Sequence, residues 1–216
     1  MDGLNQRLRT DYGYNLHLLY ELEIDGDFYG MPIVKAEKGY PNDLTGFNNA
    51  KTSSDFGKGI HFYLDDYQFE RVWNTPERYL DILRRFNYVF TPDFSLYTDM
   101  PKPLQIYNVY RSRLLGAWWQ RKGVSVITTV SWSDADSYDF CFNGIEKGAV
   151  VSISTVGIAK NKEARRLFID GVNEMIKRIE PKTILVYGKE IEFDSKGAEV
   201  VYYRSENRER MSKIGR

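Results

Sequence analysis

The feature of this sequence that most limits its fold is an alternation, from Gly59 onward, between short apolar segments and longer segments of helical period. The short segments are rich in β-branched and aromatic residues, which favour strands. They predict strands at 59–64, 88–91, 124–132, 149–156 and 183–188, with a further strand at 198–203. Apolar residues at helical spacing predict helices at 75–86, 103–122 and 161–179. Before Gly59 the pattern is weaker, with a short strand at 31–34 and an extended loop at 39–59.

Strands separated by helices of this length pair in parallel, because the helix returns the chain to the same end of the sheet. The sequence therefore predicts an α/β fold of repeated βα units with a mostly parallel sheet. Two architectures remain open, a partial or irregular (βα) barrel and an open doubly wound sheet. The barrel is favoured, since the strands that end at Asp65, Asp93 and Trp132 each deliver polar residues to what would be one rim.

Length and composition indicate one α/β domain over residues 1–216, with an irregular N-terminal segment at 1–58 and a polar, basic tail at 204–216. Basic and acidic residues both total 30, so no charge on the whole chain attracts nucleic acid or an acidic membrane. The single cysteine, Cys141, excludes an internal disulfide bond, and two histidines are too few for a cysteine and histidine zinc site. No apolar run is long enough to span a membrane, and a cytoplasmic location is expected.

Ligands of parallel α/β folds bind where the C-terminal ends of the strands converge. The residues at these positions predict a site with three kinds of group. The predicted catalytic residues are Asp93, Asp99 and Asp134, the predicted ligand-binding residues are Trp132, Ser154, Thr155 and Tyr187, and the predicted metal ligands are Asp65, Asp66 and Asp93.

Clustered carboxylates can bind Mg²⁺ or Mn²⁺. Alternatively, a protonated carboxyl group can act as a general acid while an ionised neighbour acts as a general base. Trp132 is expected to stack on a ligand, and Ser154 and Thr155 to donate hydrogen bonds to it. An aspartate that follows a strand also commonly caps the next helix or makes a local turn. Capping explains Asp66 better than Asp93, which precedes no obvious helix start.

Other polar residues are expected to have structural roles. Arg111 and Arg113, in the helix after the second strand, are predicted to be solvated, with contact to a phosphate as the alternative. His61 lies inside an apolar strand and is predicted to be an interior or face residue whose hydrogen bonds are satisfied, and Cys141 to be a buried, inert thiol. The glycine-rich motifs of nucleotide-binding loops are absent from the sequence.

Several sequence blocks resemble a family catalogued as a domain of unknown function, which is found in bacteria, their phages and mobile elements. The blocks are HFYLDDYQFERVWNTPERYL, FTPDFSLYTDMP, YNVYRSRLLGAWWQRKGVSVITTVSW, FCFNGI and SISTVG. The resemblance implies a phage or mobile-element origin but brings no reaction and no catalytic residue with it.

Two functions are consistent with the sequence. The first is a pocket that binds or processes a small phosphate- or sugar-containing ligand, with metal assistance as one version of the chemistry. The second is a non-catalytic protein that binds nucleic acid or a host protein through the basic tail at 204–216. The sequence leaves open whether the protein is an enzyme.

Overall fold

Seven parallel strands form one sheet, in which each strand pairs with the next along the chain. The computed structural model describes residues 10–158 and 161–204, and the numbers of strands and helices refer to those residues. The strands are β1 (Leu44–Gly46), β2 (Gly59–His61), β3 (Tyr88–Phe90), β4 (Val126–Thr129), β5 (Val150–Ser154), β6 (Thr183–Tyr187) and β7 (Glu199–Tyr203).

Helices connect most of these strands. They are α1 (Asp66–Asn74), α2 (Pro76–Leu83), α3 (Lys102–Arg121), α4 (Tyr138–Cys141) and α5 (Lys162–Ile179), with short 3₁₀ helices at Leu16–Leu19, Phe47–Asn49 and Ala135–Ser137. Helix α5 begins at a well-formed cap, since the Asn161 side chain accepts hydrogen bonds from the backbone N–H groups of Glu163 and Ala164.

The sheet is curled into a half-barrel. The ring of Tyr63, just after β2, lies 4.9 Å from the ring of Tyr187 at the end of β6. In a flat sheet these strands, four positions apart, would be separated by roughly 19 Å, at about 4.8 Å per strand. Only strong curvature brings the two rings into contact. The partial barrel predicted from the sequence is therefore confirmed over the open doubly wound sheet.

Two apolar layers hold the curled sheet. Large clusters built from helix residues and the outward side chains of the strands pack against its convex face. A separate cluster fills the concave side with alternate residues of the strands, as the two-residue period of a strand requires. Its buried members are Leu44, Phe90, Ile127, Val150, Leu185, Tyr187 and Tyr203.

The N-terminal part of the chain differs from the prediction. The segment 39–59, predicted as an extended loop, contains β1, whose three residues are all buried and pair in parallel with β2. Such a short strand has no pattern of its own, and its pairing with β2 stabilises it. Residues 31–34, predicted as a strand, form only isolated bridges, between Pro32 and Ile24 and between Val34 and Ile145.

Arg111 and Arg113 are buried, so the prediction that they are solvated is wrong. The Arg113 guanidinium donates hydrogen bonds to the backbone carbonyls of Thr129, Cys141 and Asn143 at 2.8 to 3.2 Å. The Arg111 guanidinium lies 3.7 Å from the centre of the Phe94 ring and donates to Glu70. Both residues join helix α3 to the loops at the strand ends, a role that depends on tertiary contacts and leaves no local pattern.

Candidate functional site

A cavity of about 1010 Å³ lies at the C-terminal ends of the central strands. Its walls come from the segments that follow β2, β3 and β4, from the end of β5, from the start of α5 and from the end of β6. Six of the residues predicted from the sequence line it, namely Asp65, Asp93, Asp99, Trp132, Ser154 and Tyr187. Parallel pairing brings them together, because it places the C-terminal ends of the strands at the same edge.

Asp93 is a carboxylate of the cavity whose pKa is raised. It lies three residues beyond the end of β3, is half-buried, and accepts a hydrogen bond from the Ser131 hydroxyl, which follows β4. Burial raises the pKa of Asp93 to about 6, and the charge of Asp66 adds to this increase, while the hydrogen bond from Ser131 opposes it. Asp93 can therefore hold or release a proton near neutral pH.

Aromatic rings and hydroxyl groups form one wall of the cavity. The Tyr63 ring stacks on Tyr187, and its hydroxyl lies 2.6 Å from the Ser152 hydroxyl of β5. His61 is buried beside both tyrosines, with its ring centre 4.4 Å from that of Tyr187. Tyr63 is not among the site residues predicted from the sequence, although it lies two residues after His61 and so on the same face of an extended chain.

Acidic and aromatic residues also occupy the mouth of the cavity. Asp65, Tyr97, Asp99 and Glu163 are exposed and line the opening. Trp132 lies deeper, half-buried, with its indole N–H donating to the Leu167 carbonyl at 3.1 Å. Phe168 and Phe142 flank its ring at 5.8 and 6.0 Å, so packing fixes the orientation of the indole.

Three predicted residues lie outside the cavity lining and have local partners. Asp66 accepts hydrogen bonds from the backbone N–H and the hydroxyl of Ser95, at 3.1 and 2.9 Å. Asp134 caps a 3₁₀ helix by accepting from the backbone N–H of Asp136. The Thr155 hydroxyl is buried and donates to the Lys189 carbonyl at 2.7 Å. Asp134 thus has the capping role considered from the sequence.

The predicted metal ligands do not form a cluster. In the described residues, no group of three or more histidine, cysteine, aspartate or glutamate side chains is arranged to hold a metal ion. Asp66 is engaged by Ser95 and Asp93 by Ser131, while Asp65 is at the exposed mouth. The geometry therefore adds no support to the predicted Mg²⁺ or Mn²⁺ site.

The curled sheet and the position of the cavity define a class of protein. It is a half-barrel of βα units with a large pocket at the carboxyl ends of its strands. None of the helices in the described part of the chain is long and apolar enough to cross a membrane.

Within that class, the chain belongs to the family described as "Domain of unknown function (DUF4417)", whose model matches residues 23–204. This confirms the resemblance found in the sequence. The chain is 41% identical over 178 residues to "Gene 1 protein" of Mycobacterium phage L5, covering 81% of this chain and 76% of that protein. It is also 41% identical over 164 residues to "Gene 1 protein" of Mycobacterium phage D29, covering 74% of this chain and 61%, less than two thirds, of that protein. No solved structure matches the chain.

Proposed function

We propose that the cavity at the strand ends binds a small sugar-containing ligand, with Asp93 as the central acceptor of its hydroxyl groups. The observation that carries the proposal is the combination of carboxylates, hydroxyls and aromatic rings around one space large enough for a small molecule. Carboxylates accept strong hydrogen bonds from hydroxyl groups, and aromatic faces cover the apolar faces of a sugar ring.

The charges of the lining favour a neutral sugar over a free phosphate. Asp65, Asp93, Asp99 and Glu163 line the cavity, whereas no lysine or arginine of the described residues does so. A phosphate would be repelled by these carboxylates. The N-terminus of α5 offers little compensation, because the Asn161 side chain already accepts from the N–H groups of Glu163 and Ala164.

Trp132, Tyr97 and Tyr187 supply aromatic surface at three depths of the cavity. Trp132 is held by its hydrogen bond to Leu167 and by Phe168, so little conformational entropy would be lost when a ligand contacts it. Ser154, at the end of β5, adds a hydroxyl to the cavity wall.

The test is a binding screen with neutral sugars and their charged counterparts. Glucose, galactose and N-acetylglucosamine are compared with glucose 6-phosphate and inorganic phosphate by thermal shift and by calorimetry. We expect at least one neutral sugar to raise the melting temperature, because a ligand that binds only the native state stabilises it. Asp93→Asn should weaken that binding about tenfold, the loss expected for one hydrogen bond to a charged group.

Asp81→Asn is the matched control, since the Asp81 side chain is exposed on α2, outside the cavity lining. It should leave the affinity unchanged. If no neutral sugar binds, if phosphate binds more tightly than the sugars, or if Asp93→Asn binds as tightly as the native protein, the proposal is wrong.

The alternative function depends on the basic tail, most of which, residues 205–216, lies outside the described residues. It remains a sequence-based prediction. Deletion of 205–216 in the same screen, with a DNA duplex as an added probe, separates the two functions. Loss of DNA binding on deletion together with no sugar binding would favour the alternative.

A further inference from the structure

His61 is a buried polar side chain in the wall of the cavity. It is the last residue of β2, lines the cavity, and is 1% exposed. Its ring is held beside the rings of Tyr187 and Tyr63, at 4.4 and 5.7 Å between centres. The two aromatic neighbours fix the position of the imidazole.

Hydrogen bonding determines which ring nitrogen carries the proton. The backbone N–H of Tyr63 donates to Nδ1 of His61, with 3.2 Å between the two nitrogens. Nδ1 must therefore present its lone pair, so the proton of the neutral ring is on Nε2. Burial lowers the pKa of His61 to about 3, so the ring is neutral at physiological pH.

Nε2 of His61 has no hydrogen-bond partner among the described residues, although it is buried. Buried donors are nearly always paired, so an unpaired one beside a cavity indicates a partner that binds there. We propose that the Nε2–H of His61 donates a hydrogen bond to an uncharged oxygen of the ligand, a hydroxyl, ring ether or carbonyl oxygen. This assignment rests on the proposed sugar-binding function and specifies the chemistry of one contact.

The surroundings of His61 explain why the oxygen would be uncharged. A neutral imidazole N–H offers one hydrogen bond and no positive charge. Burial raises the pKa of the phenol of Tyr63, the neighbour of His61, and the charge of the nearby Asp93 carboxylate raises it further. An anionic ligand would meet that carboxylate without compensation, whereas a sugar hydroxyl can accept from His61 while donating to Asp93. His61 and Asp93 would thus form a donor and acceptor pair.

Two substitutions separate the two nitrogens of the ring. His61→Asn places an oxygen near the position of Nδ1, which keeps an acceptor for the Tyr63 N–H but removes the Nε2 donor. His61→Gln places an amide nitrogen near the position of Nε2, which keeps a donor. With the neutral sugar that binds the native protein, we expect His61→Asn to weaken affinity about tenfold and His61→Gln by no more than about threefold. Both variants are first compared with the native protein by circular dichroism and melting temperature.

A ligand-free measurement tests the donor directly. With ¹⁵N-histidine labelling, the chain shows only His17 and His61, and the His17 signals are those lost in His17→Gln, so the His61 signals are identified without a substitution at position 61. We expect His61 to remain a neutral ring protonated on Nε2 from pH 8 to pH 5, and the Nε2–H signal to shift when the sugar is added. A ring protonated on Nδ1, or doubly protonated at pH 5, would overturn the assignment even if both variants fail to fold.

The outcomes distinguish this assignment from the proposed function. If none of the neutral sugars binds the native protein, the proposed function fails and this contact fails with it. If a sugar binds and His61→Asn binds it as tightly as the native protein, only the role of His61 is refuted.

Discussion

The residue that most affects the chemistry of the cavity is Asp93, because it combines burial with a single hydroxyl partner. Its carboxylate accepts from Ser131 and also experiences the charge of Asp66. One hydroxyl donor does not fully replace the water that burial removes, so the charged form is destabilised.

The stability of the native protein should depend on the protonation of Asp93. Its pKa is about 6 in the folded protein, against an ordinary value of 3.8. Between these values the folded state binds a proton that the unfolded chain has released, so the free energy of unfolding falls as pH rises through this window. Asp93→Asn removes this contribution to the pH dependence of stability, because asparagine does not titrate. As the pH is raised from 4.5 to 7.5, the free energy of unfolding of the variant should increase by on the order of 2 kcal/mol relative to that of the native protein.

Urea unfolding at several pH values measures this difference, with Asp81→Asn as the control for a general effect of charge. The Asp81 side chain is 93% exposed, so its variant should track the native protein at every pH. A constant difference between Asp93→Asn and the native protein across the window would show that burial does not raise the pKa of Asp93.

At the scale of elements, the packing of α5 against the end of β4 places Trp132 in the cavity wall. Gly171 lies in the middle of α5, where glycine normally reduces helix stability. A Cβ atom at this position would lie 2.0 Å from Nε1 of Trp132. The glycine therefore makes room for the indole, whose N–H donates to the Leu167 carbonyl one turn earlier in the same helix.

Gly171→Ala should destabilise the protein, although the same change in an exposed helix would stabilise it by about 1 kcal/mol. The added methyl group must displace the indole or the helix, at a cost of about 1–3 kcal/mol. Thermal or urea unfolding measures the loss. Gly26→Ala is the control, since no heavy atom of the residues that the structure describes lies within 4 Å of a Cβ atom placed there.

Trp132→Leu tests whether the indole causes the destabilisation expected for Gly171→Ala. If the clash is with the indole, the smaller side chain should relieve part of the penalty of Gly171→Ala, so the two substitutions should not be additive. A stabilised Gly171→Ala, or full additivity with Trp132→Leu, would contradict the proposed packing.

At the scale of the whole molecule, the curled sheet depends on contacts between its two edges. β1 and β7 are not paired in the described sheet, and hydrogen bonds between β7 and the residues just before β1 connect them. The Tyr203 hydroxyl donates to the Pro41 carbonyl at 2.5 Å, and the Tyr40 hydroxyl donates to Glu199 at 2.8 Å. These bonds connect the segment before β1 to the last strand and limit how far the half-barrel can open.

Tyr203→Phe should lower the free energy of unfolding by about 1–2 kcal/mol, because it leaves the Pro41 carbonyl without its partner. Tyr202→Phe is the matched control in the same strand. The Tyr202 hydroxyl also donates to a backbone carbonyl, that of Ile191, but its side chain is more exposed and does not connect the two edges. Urea unfolding should show the larger loss for Tyr203→Phe, and an equal or smaller loss would contradict a special role for this edge contact.

The fold class, the strands from β2 to β7 and most residues of the cavity could be predicted from the sequence alone. Apolar runs and helical periods are local patterns, and parallel pairing follows from the helices between strands. Once pairing is parallel, the residues after each strand converge, which is why Asp65, Asp93, Asp99, Trp132, Ser154 and Tyr187 were found from the sequence and line one space.

The roles of the other residues depend on the three-dimensional fold, because the same residue types face the cavity or have a structural role according to their neighbours. Asp134 caps a 3₁₀ helix and Asp66 accepts from Ser95, while Asp93 faces the cavity. The curvature that brings Tyr63 onto Tyr187, beside the Nε2 of His61 that has no partner in the described part of the chain, arises from contacts between residues more than 120 positions apart. No local pattern encodes a contact between strands so distant in sequence, and it forms only when the sheet curls.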